Sequence, residues 1–248
     1  MVGSSRDKSN GEGWTGTVSE QKERLRRERL GAEEHVLRES PKGGGGKAAQ
    51  RLSLLAPYKK ARRVLVSLDP FLRQARVNVL AHGKELVLPT PRLNKGFVLL
   101  DPRRIPVTKR PLAVRPDRCL AYGDRLPYES LSSTLLDVVV AGALAVDLQG
   151  NLLGDGEGHL DLQWAALMTL GAVRPFTLVV VLVEEDQIVP SVPCDGTDVG
   201  ARWIVTPSAS LETSRETPGG GRVAWENLSR KQIRRNDALF HLWKERNP

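Results

Sequence analysis

Cysteine and histidine are scarce in this chain of 248 residues, with two and four copies respectively. Cys119 and Cys194 form no Cys-x-x-Cys, and His35, His82, His159 and His241 form no His-x-x-x-His, so the spacings of structural zinc sites are missing. Both thiols are therefore expected to be free, in a reducing compartment. No Gly-x-Ser-x-Gly elbow occurs, and no local pattern suggests a serine or cysteine hydrolase. Long apolar runs are lacking too. The longest, Val138–Val146 and Phe176–Val183, fall far short of the ~18 residues that a membrane helix needs, so no membrane partner is expected. The first thirty residues hold Arg6, Asp7, Lys8 and Glu12 but no apolar core. No secretory signal is expected, and a cytoplasmic address follows.

What is present fits one globular domain with tails: 40% hydrophobic and 27% charged residues. The net charge is +8, but residues 1–63 carry 15 Lys and Arg against 8 Asp and Glu, while the remaining 185 residues are nearly balanced. The excess lies in an N-terminal arm and in a C-terminal cluster, Arg230, Lys231, Arg234 and Arg235. A nucleic acid partner is thus conceivable only through the basic ends, which read first as solvated extensions. No aromatic platform for RNA is legible in the sequence. The expected division is a flexible leader over 1–18, a folded domain over 19–226 and a basic C-terminal extension over 227–248.

Patterning predicts the fold class. Ser19 precedes strong helix formers over Lys22–Leu30, with Gly31 as a stop; Pro41 and Gly43–Gly46 read as a hinge, and Lys47–Leu55 as a second helix. Val64–Ser67, Pro70–Ala81 and Glu85–Leu88 make a βαβ unit, the helix opened by Asp69 and Pro70. Leu93–Pro127, rich in Pro and Arg, is expected to be irregular. Asp137–Val146, Phe176–Val183 and Trp203–Thr206 read as buried strands, with a helix over about His159–Leu170. Continuous apolar strands with intervening helices imply an α/β fold, a mostly parallel sheet covered on both faces. Ligands of such sheets bind beyond the carboxyl ends of the strands.

One loop there has the layout of chemistry. Gly154, Gly156 and Gly158 alternate and lead straight into a helix, so backbone N–H groups can turn toward an anion while the helix N-terminus adds partial positive charge. Asp161, in the first helical turn, suits a magnesium ion bridging phosphates. The same residues also suit a plain strand-to-helix connection with Asp161 as a favourable helix-start charge. The dinucleotide fingerprint fails, because His159 stands where its third Gly belongs, and Gly46-Lys47 lacks the rest of a Walker A.

The segment Gly150–Asp161 resembles the Gly-x-Arg-x-Gly-x-Gly-x-Gly-x-x-Asp signature of 5-formyltetrahydrofolate cyclo-ligases, also called methenyltetrahydrofolate synthetases. Lys22-Glu-Arg-Leu-Arg26 is similar to that family's opening Lys-x-x-Ile/Leu-Arg, Leu88-Pro-Thr-Pro-Arg-Leu93 to its central loop, and Val192–Asp198 through Ile204–Thr206 to its closing strand. Thr-Pro-Arg-Leu and Gly220-Gly-Arg-Val-Ala-Trp225 are similar to the divergent branch of synthetase domain-containing proteins.

The resemblance implies a three-layer α/β/α fold of the NagB/RpiA/CoA-transferase type. It also implies closure of 5-formyltetrahydrofolate to 5,10-methenyltetrahydrofolate, with ATP and Mg²⁺. By matched position, Lys22 and Arg26 would clamp the ATP phosphates, being one helical turn apart and expected to contribute little to stability as surface cations. Gly154, Asp155, Gly156, Glu157 and Gly158 would wrap those phosphates. Asp161 would take the metal, while Thr90, Arg92 and His159 would border the folate. No residue is singled out as catalytic, and the oligomeric state is left open. Leu152 stands where the signature has Arg, Asp155 where a basic or aromatic residue is usual, and Arg202 where an acid often sits. The alternative is a weakened family member that binds nucleotide or RNA without turnover.

Overall fold

The computed structural model describes residues 16–36, 44–155 and 159–247. The chain opens with α1 (Val18–Val36), α2 (Gly44–Leu52) and α3 (Ala56–Lys60), followed by β1 (Arg63–Val66), α4 (Arg73–Ala81) and β2 (Glu85–Pro89). It continues through β3 (Phe97–Leu100), α5 (Arg110–Ala113), β4 (Asp124–Arg125), β5 (Val138–Ala141) and a hairpin of β6 (Ala145–Val146) with β7 (Leu152–Leu153). The rest is α6 (His159–Thr169), β8 (Leu178–Leu182), β9 (Trp203–Val205), β10 (Ser210–Glu212), α7 (Arg230–Arg235) and α8 (Asp237–Arg246).

Eight strands form one sheet in the order β10-β9-β8-β5-β1-β2-β3-β4. The five central strands, β9 to β2, pair in parallel, and the edges are antiparallel. Because strand side chains alternate, Val64, Val66, Val138 and Val140 enter one core with α2 and α4, and Leu65, Val139, Val179 and Val181 enter the other with α6 and α8. Burial on both faces explains the unbroken Val and Leu runs of the central strands and makes the expected three-layer α/β arrangement.

Several local expectations shift. Gly31 does not stop α1, which runs on to Val36; strong helix formers on both sides carry one glycine at a cost of about 1 kcal/mol. The glycine run is no hinge in its described part, since Gly44–Gly46 form the first turn of α2. A Cβ on Gly44 would collide with the Glu184 carboxylate and one on Gly45 with the Phe71 carbonyl, so close approach is what glycine serves there. Asp137–Val146 is not one strand: it breaks at Gly142, where a Cβ would collide with the Asp69 carboxylate. The segment expected to be irregular adds β3, α5 and β4. Phe176, assigned to a strand by its apolar context, is 85% exposed, and β8 starts at Leu178.

The C-terminal residues are no solvated extension either. Ala238 and Leu242 are buried in the same core as Trp164, the Asp237 carboxylate meets Arg125 and the Tyr128 hydroxyl, and the His241 ring stacks on Tyr128 at 4.6 Å. Nonpolar spacing on α8 is what ties the end of the chain to the body.

Candidate functional site

At the sheet centre, β1 pairs with β2 on one side and β5 on the other, so the chain departs in opposite directions from these neighbours. A cavity of about 650 Å³ opens beyond the carboxyl ends of these strands. Ser67, Leu68 and Asp69 reach it from β1, Thr90 and Arg92 from β2, and Gly142 and Ala143 from β5. The hairpin supplies Leu152, Gly154 and Asp155, the start of α6 supplies Leu160, Asp161 and Gln163, and α1 lays Lys22 and Arg26 across the opening. Such a strand-order reversal is where open α/β sheets bind ligands, because the loops leaving the two strands diverge and leave a crevice.

A buried carboxylate aims the hairpin. Asp147 accepts hydrogen bonds from the Gln149 and Asn151 N–H groups, the Asn151 amide and the Val192 N–H, all at 2.9 to 3.0 Å. Gly150 has φ 83°, and a Cβ there would collide with the Ala201 carbonyl, so glycine is required on two grounds. Gly154 meets no such neighbour: a Cβ on it would have nothing within 4 Å. It lines the cavity. Gly156, Glu157, Gly158 and the side chain of His159 lie outside the described residues.

Lys22 and Arg26 share one face of α1, as their spacing requires, and both charges are engaged. The Lys22 ammonium donates to Asp198 Oδ1 at 2.6 Å and lies 3.6 Å from Asp195. Arg26 donates through Nε to the Gly154 carbonyl at 3.0 Å and meets Glu23 at 3.4 Å. Lys22 is not an exposed cation: its side chain is 12% and that of Asp198 13% exposed. Asp161 accepts from the Val199 N–H at 2.9 Å. Burial pushes its carboxyl above the usual carboxylate range, the charges of Asp198 and Asp195 add to the push, and the Val199 N–H and Lys22 oppose it.

The opposite loop is held as firmly. The Thr90 hydroxyl donates to the Gly96 carbonyl and accepts from the Lys95 N–H, both at 2.9 Å, so it shapes its turn and has little left for a ligand. That turn carries Arg92 and Leu93 at φ 53° and 52°, a left-handed pair that keeps Arg92 at the cavity rim. Asp69, which the sequence did not mark as a site residue, accepts from the Phe71 N–H at 2.8 Å; burial holds its carboxyl above the ordinary range. Behind it the buried Arg76 guanidinium, drawn down to about 10 by burial, donates to the Ser67 and Asp69 carbonyls at 2.6 and 2.9 Å. Gln163 adds a buried amide oxygen with no partner among the described residues. Asp69-Pro70 was legible only as a helix opening, Asp198 only as the end of the segment similar to the family's closing strand, and nothing local marked Gln163.

Among the described residues, no group of three or more His, Cys, Asp or Glu side chains is arranged to hold a metal ion, and no helix is long and apolar enough to cross a membrane. Leu152 faces the cavity, whereas Arg202 pairs with Glu212 at 2.8 Å on the sheet edge and takes no part in it.

A family model of the 5-formyltetrahydrofolate cyclo-ligase family matches residues 18–207. A methenyltetrahydrofolate synthase domain-containing protein of Bos taurus is 33% identical over 207 residues, covering 80% of this chain and 53% of the relative. That of Homo sapiens is 30% identical over 203 residues, covering 79% and 51%. The chain thus spans about half the length of the curated relatives it matches. The NMR structure of Aquifex aeolicus 5,10-methenyltetrahydrofolate synthetase overlaps 80% of this chain and 93% of its own at TM-score 0.48 and 21% identity. With the match running from the first residue of α1 past the end of β9, the chain belongs to the 5-formyltetrahydrofolate cyclo-ligase family.

Proposed function

We propose that the cavity binds ATP and 5-formyltetrahydrofolate and closes the folate to 5,10-methenyltetrahydrofolate, in the cytoplasm. The observation that carries this reading is the convergence of Lys22, Arg26, Arg92, Gly154 and Asp161, from separate segments of the chain, on one crevice at the strand-order reversal. In the reaction the formyl oxygen attacks the γ-phosphorus, and the bond to ADP breaks. The pterin side-chain nitrogen then attacks the formyl carbon, loses its proton, and phosphate leaves. The protein's task is to align the partners and offset charge.

Each group has a part in that task. Arg26 and the Gly154 loop face the phosphates, and Arg92 at the rim suits an anionic end of either substrate. Asp69 is a poor neighbour for phosphate and suits the N–H groups of the pterin ring; the Gln163 oxygen is a second acceptor for them. Among the described residues the cavity holds Lys22, Arg26 and Arg92 against Asp69, Asp155, Asp161 and Asp198, three cations to four carboxylates. That balance opposes a bare triphosphate but fits a magnesium complex, since Mg²⁺ is typically held by one or two carboxylates plus phosphate oxygens. Asp161 and Asp198 would hold the ion, which would neutralise phosphate charge.

Mixing the protein with 5-formyltetrahydrofolate and Mg-ATP tests the reading through growth of the methenyl absorbance. Turnover that requires all three supports it. ATP binding by calorimetry without any turnover favours the weakened-member alternative, for which Leu152 in place of the signature Arg is the specific motive. Neither binding nor turnover overturns both.

A further inference from the structure

Away from the cavity, the C-terminal helix pair presents charge and aromatic surface that the proposed reaction does not use. Helix α7 turns only Ile233 inward, and Arg230, Lys231, Arg234 and Arg235 are all exposed. None of the four has a carboxylate partner among the described residues. Asn236 ends α7 and caps α8, and the two helices pack together. On α8 the Phe240 and Trp243 rings lie 6.2 Å apart and 8° from parallel, with Lys244 Nζ 4.4 Å over Phe240. Trp243 is 38% exposed. Arg246 and Lys244 bring the cations of this pair to six, against Asp237 and Glu245, and Asp237 is already engaged by Arg125 and Tyr128.

We infer that α7 and α8 form a docking surface for a single-stranded polynucleotide, with phosphates held by the α7 cations and a base stacked on the exposed ring of Trp243, which the half-buried Phe240 ring backs. Cations alone give unspecific phosphate affinity, whereas cations on the same helix pair as an exposed aromatic ring are the combination that binds unpaired bases. A duplex hides its base faces and gains nothing from the rings. A lipid surface needs an apolar stripe, and here Ile233, Leu239 and Leu242 all point inward, leaving Trp243 as the one exposed large hydrophobic side chain of the pair. An acidic peptide would use the cations and leave the rings idle. Helices of six and ten residues span about 9 and 15 Å, room for on the order of four nucleotides, the lower end of such sites. No cavity-lining residue belongs to either helix, so this surface and the proposed reaction stand or fall separately.

Fluorescence anisotropy of a short labelled oligouridylate with the full chain tests the inference. Trp243→Ala is expected to weaken binding at least about fivefold, the loss of one stacked base, while Trp243→Phe keeps most of the affinity. Arg234→Ala with Arg235→Ala should make the slope of log affinity against log salt shallower by about 1.4, at roughly 0.7 for each phosphate no longer neutralised. Circular dichroism melting checks that each variant folds, and Trp243→Gln replaces Trp243→Ala if the latter does not. The inference is overturned by no oligouridylate binding at low salt, by equal affinity for duplex RNA, or by Trp243→Ala binding like wild type. Preferential, Trp243-dependent binding to phosphatidylserine vesicles, or polyglutamate binding as tightly as the oligonucleotide, overturns it as well.

Discussion

Replacing Lys22 with Ala separates a clamp for ligand phosphates from a residue that also holds the fold. Its ammonium sits between Asp198 and Asp195, and its charge acts on Asp161, so the variant leaves three carboxylates facing one another. Breaking a buried pair from one side costs about 3 to 5 kcal/mol and an exposed pair about 0 to 1. With side chains 12% and 13% exposed, the Lys22–Asp198 pair lies between these limits, at about 2 to 3 kcal/mol. For a domain of this size that lowers Tm by about 4 to 12 °C. Thermal unfolding followed by circular dichroism reads the effect directly, and magnesium chloride without nucleotide should restore more stability to the variant than it adds to wild type. The deficit should also shrink in acid. Burial places the Asp161 carboxyl above its unfolded range, so its ionisation cost is full above the folded pKa and disappears as pH falls below the unfolded one. Adding Asp198→Asn should recover part of the loss, because the pair is coupled. A Lys22→Ala protein melting within about 1 °C of wild type at neutral pH would refute this reasoning and return Lys22 to the surface-cation class.

Asp161→Asn keeps an oxygen for the Val199 N–H and removes a buried charge, so Tm at neutral pH should hold or rise while ATP affinity in Mg²⁺ falls at least about tenfold more than without the metal. Equal losses in calorimetry with and without Mg²⁺ would reduce Asp161 to a helix-start charge. Leu152→Arg aims a guanidinium at the cavity and should tighten ATP binding by about 1.5 to 3 kcal/mol, roughly ten- to a hundredfold, with the gain fading as salt rises. A folded variant with unchanged ATP affinity would mean that the hairpin does not meet phosphate. Gly142→Ala drives the Asp69 carboxylate aside and is expected to weaken 5-formyltetrahydrofolate binding while sparing ATP; equal loss of both ligands would remove Asp69 from the folate side.

The sequence by itself determined the parallel core, because Val64–Val66, Val138–Val140 and Leu178–Leu182 are apolar at every position and only a sheet covered on both faces buries such runs. It also determined that Lys22 and Arg26 share a helix face, since a spacing of four residues admits nothing else on a helix. The antiparallel strand Phe97–Leu100 was hidden by flanking Pro and Arg, and α8 by the charge around it, since a short apolar run takes its role from what lies opposite. Only the tertiary structure set Lys22 against Asp198, 176 residues away, and Asp69 against Gly142 across the break after β5. Such pairs depend on strand order and on which loops leave adjacent strand ends. Local periodicity does not encode either, because the free energy that fixes strand order comes from burial summed over the whole core.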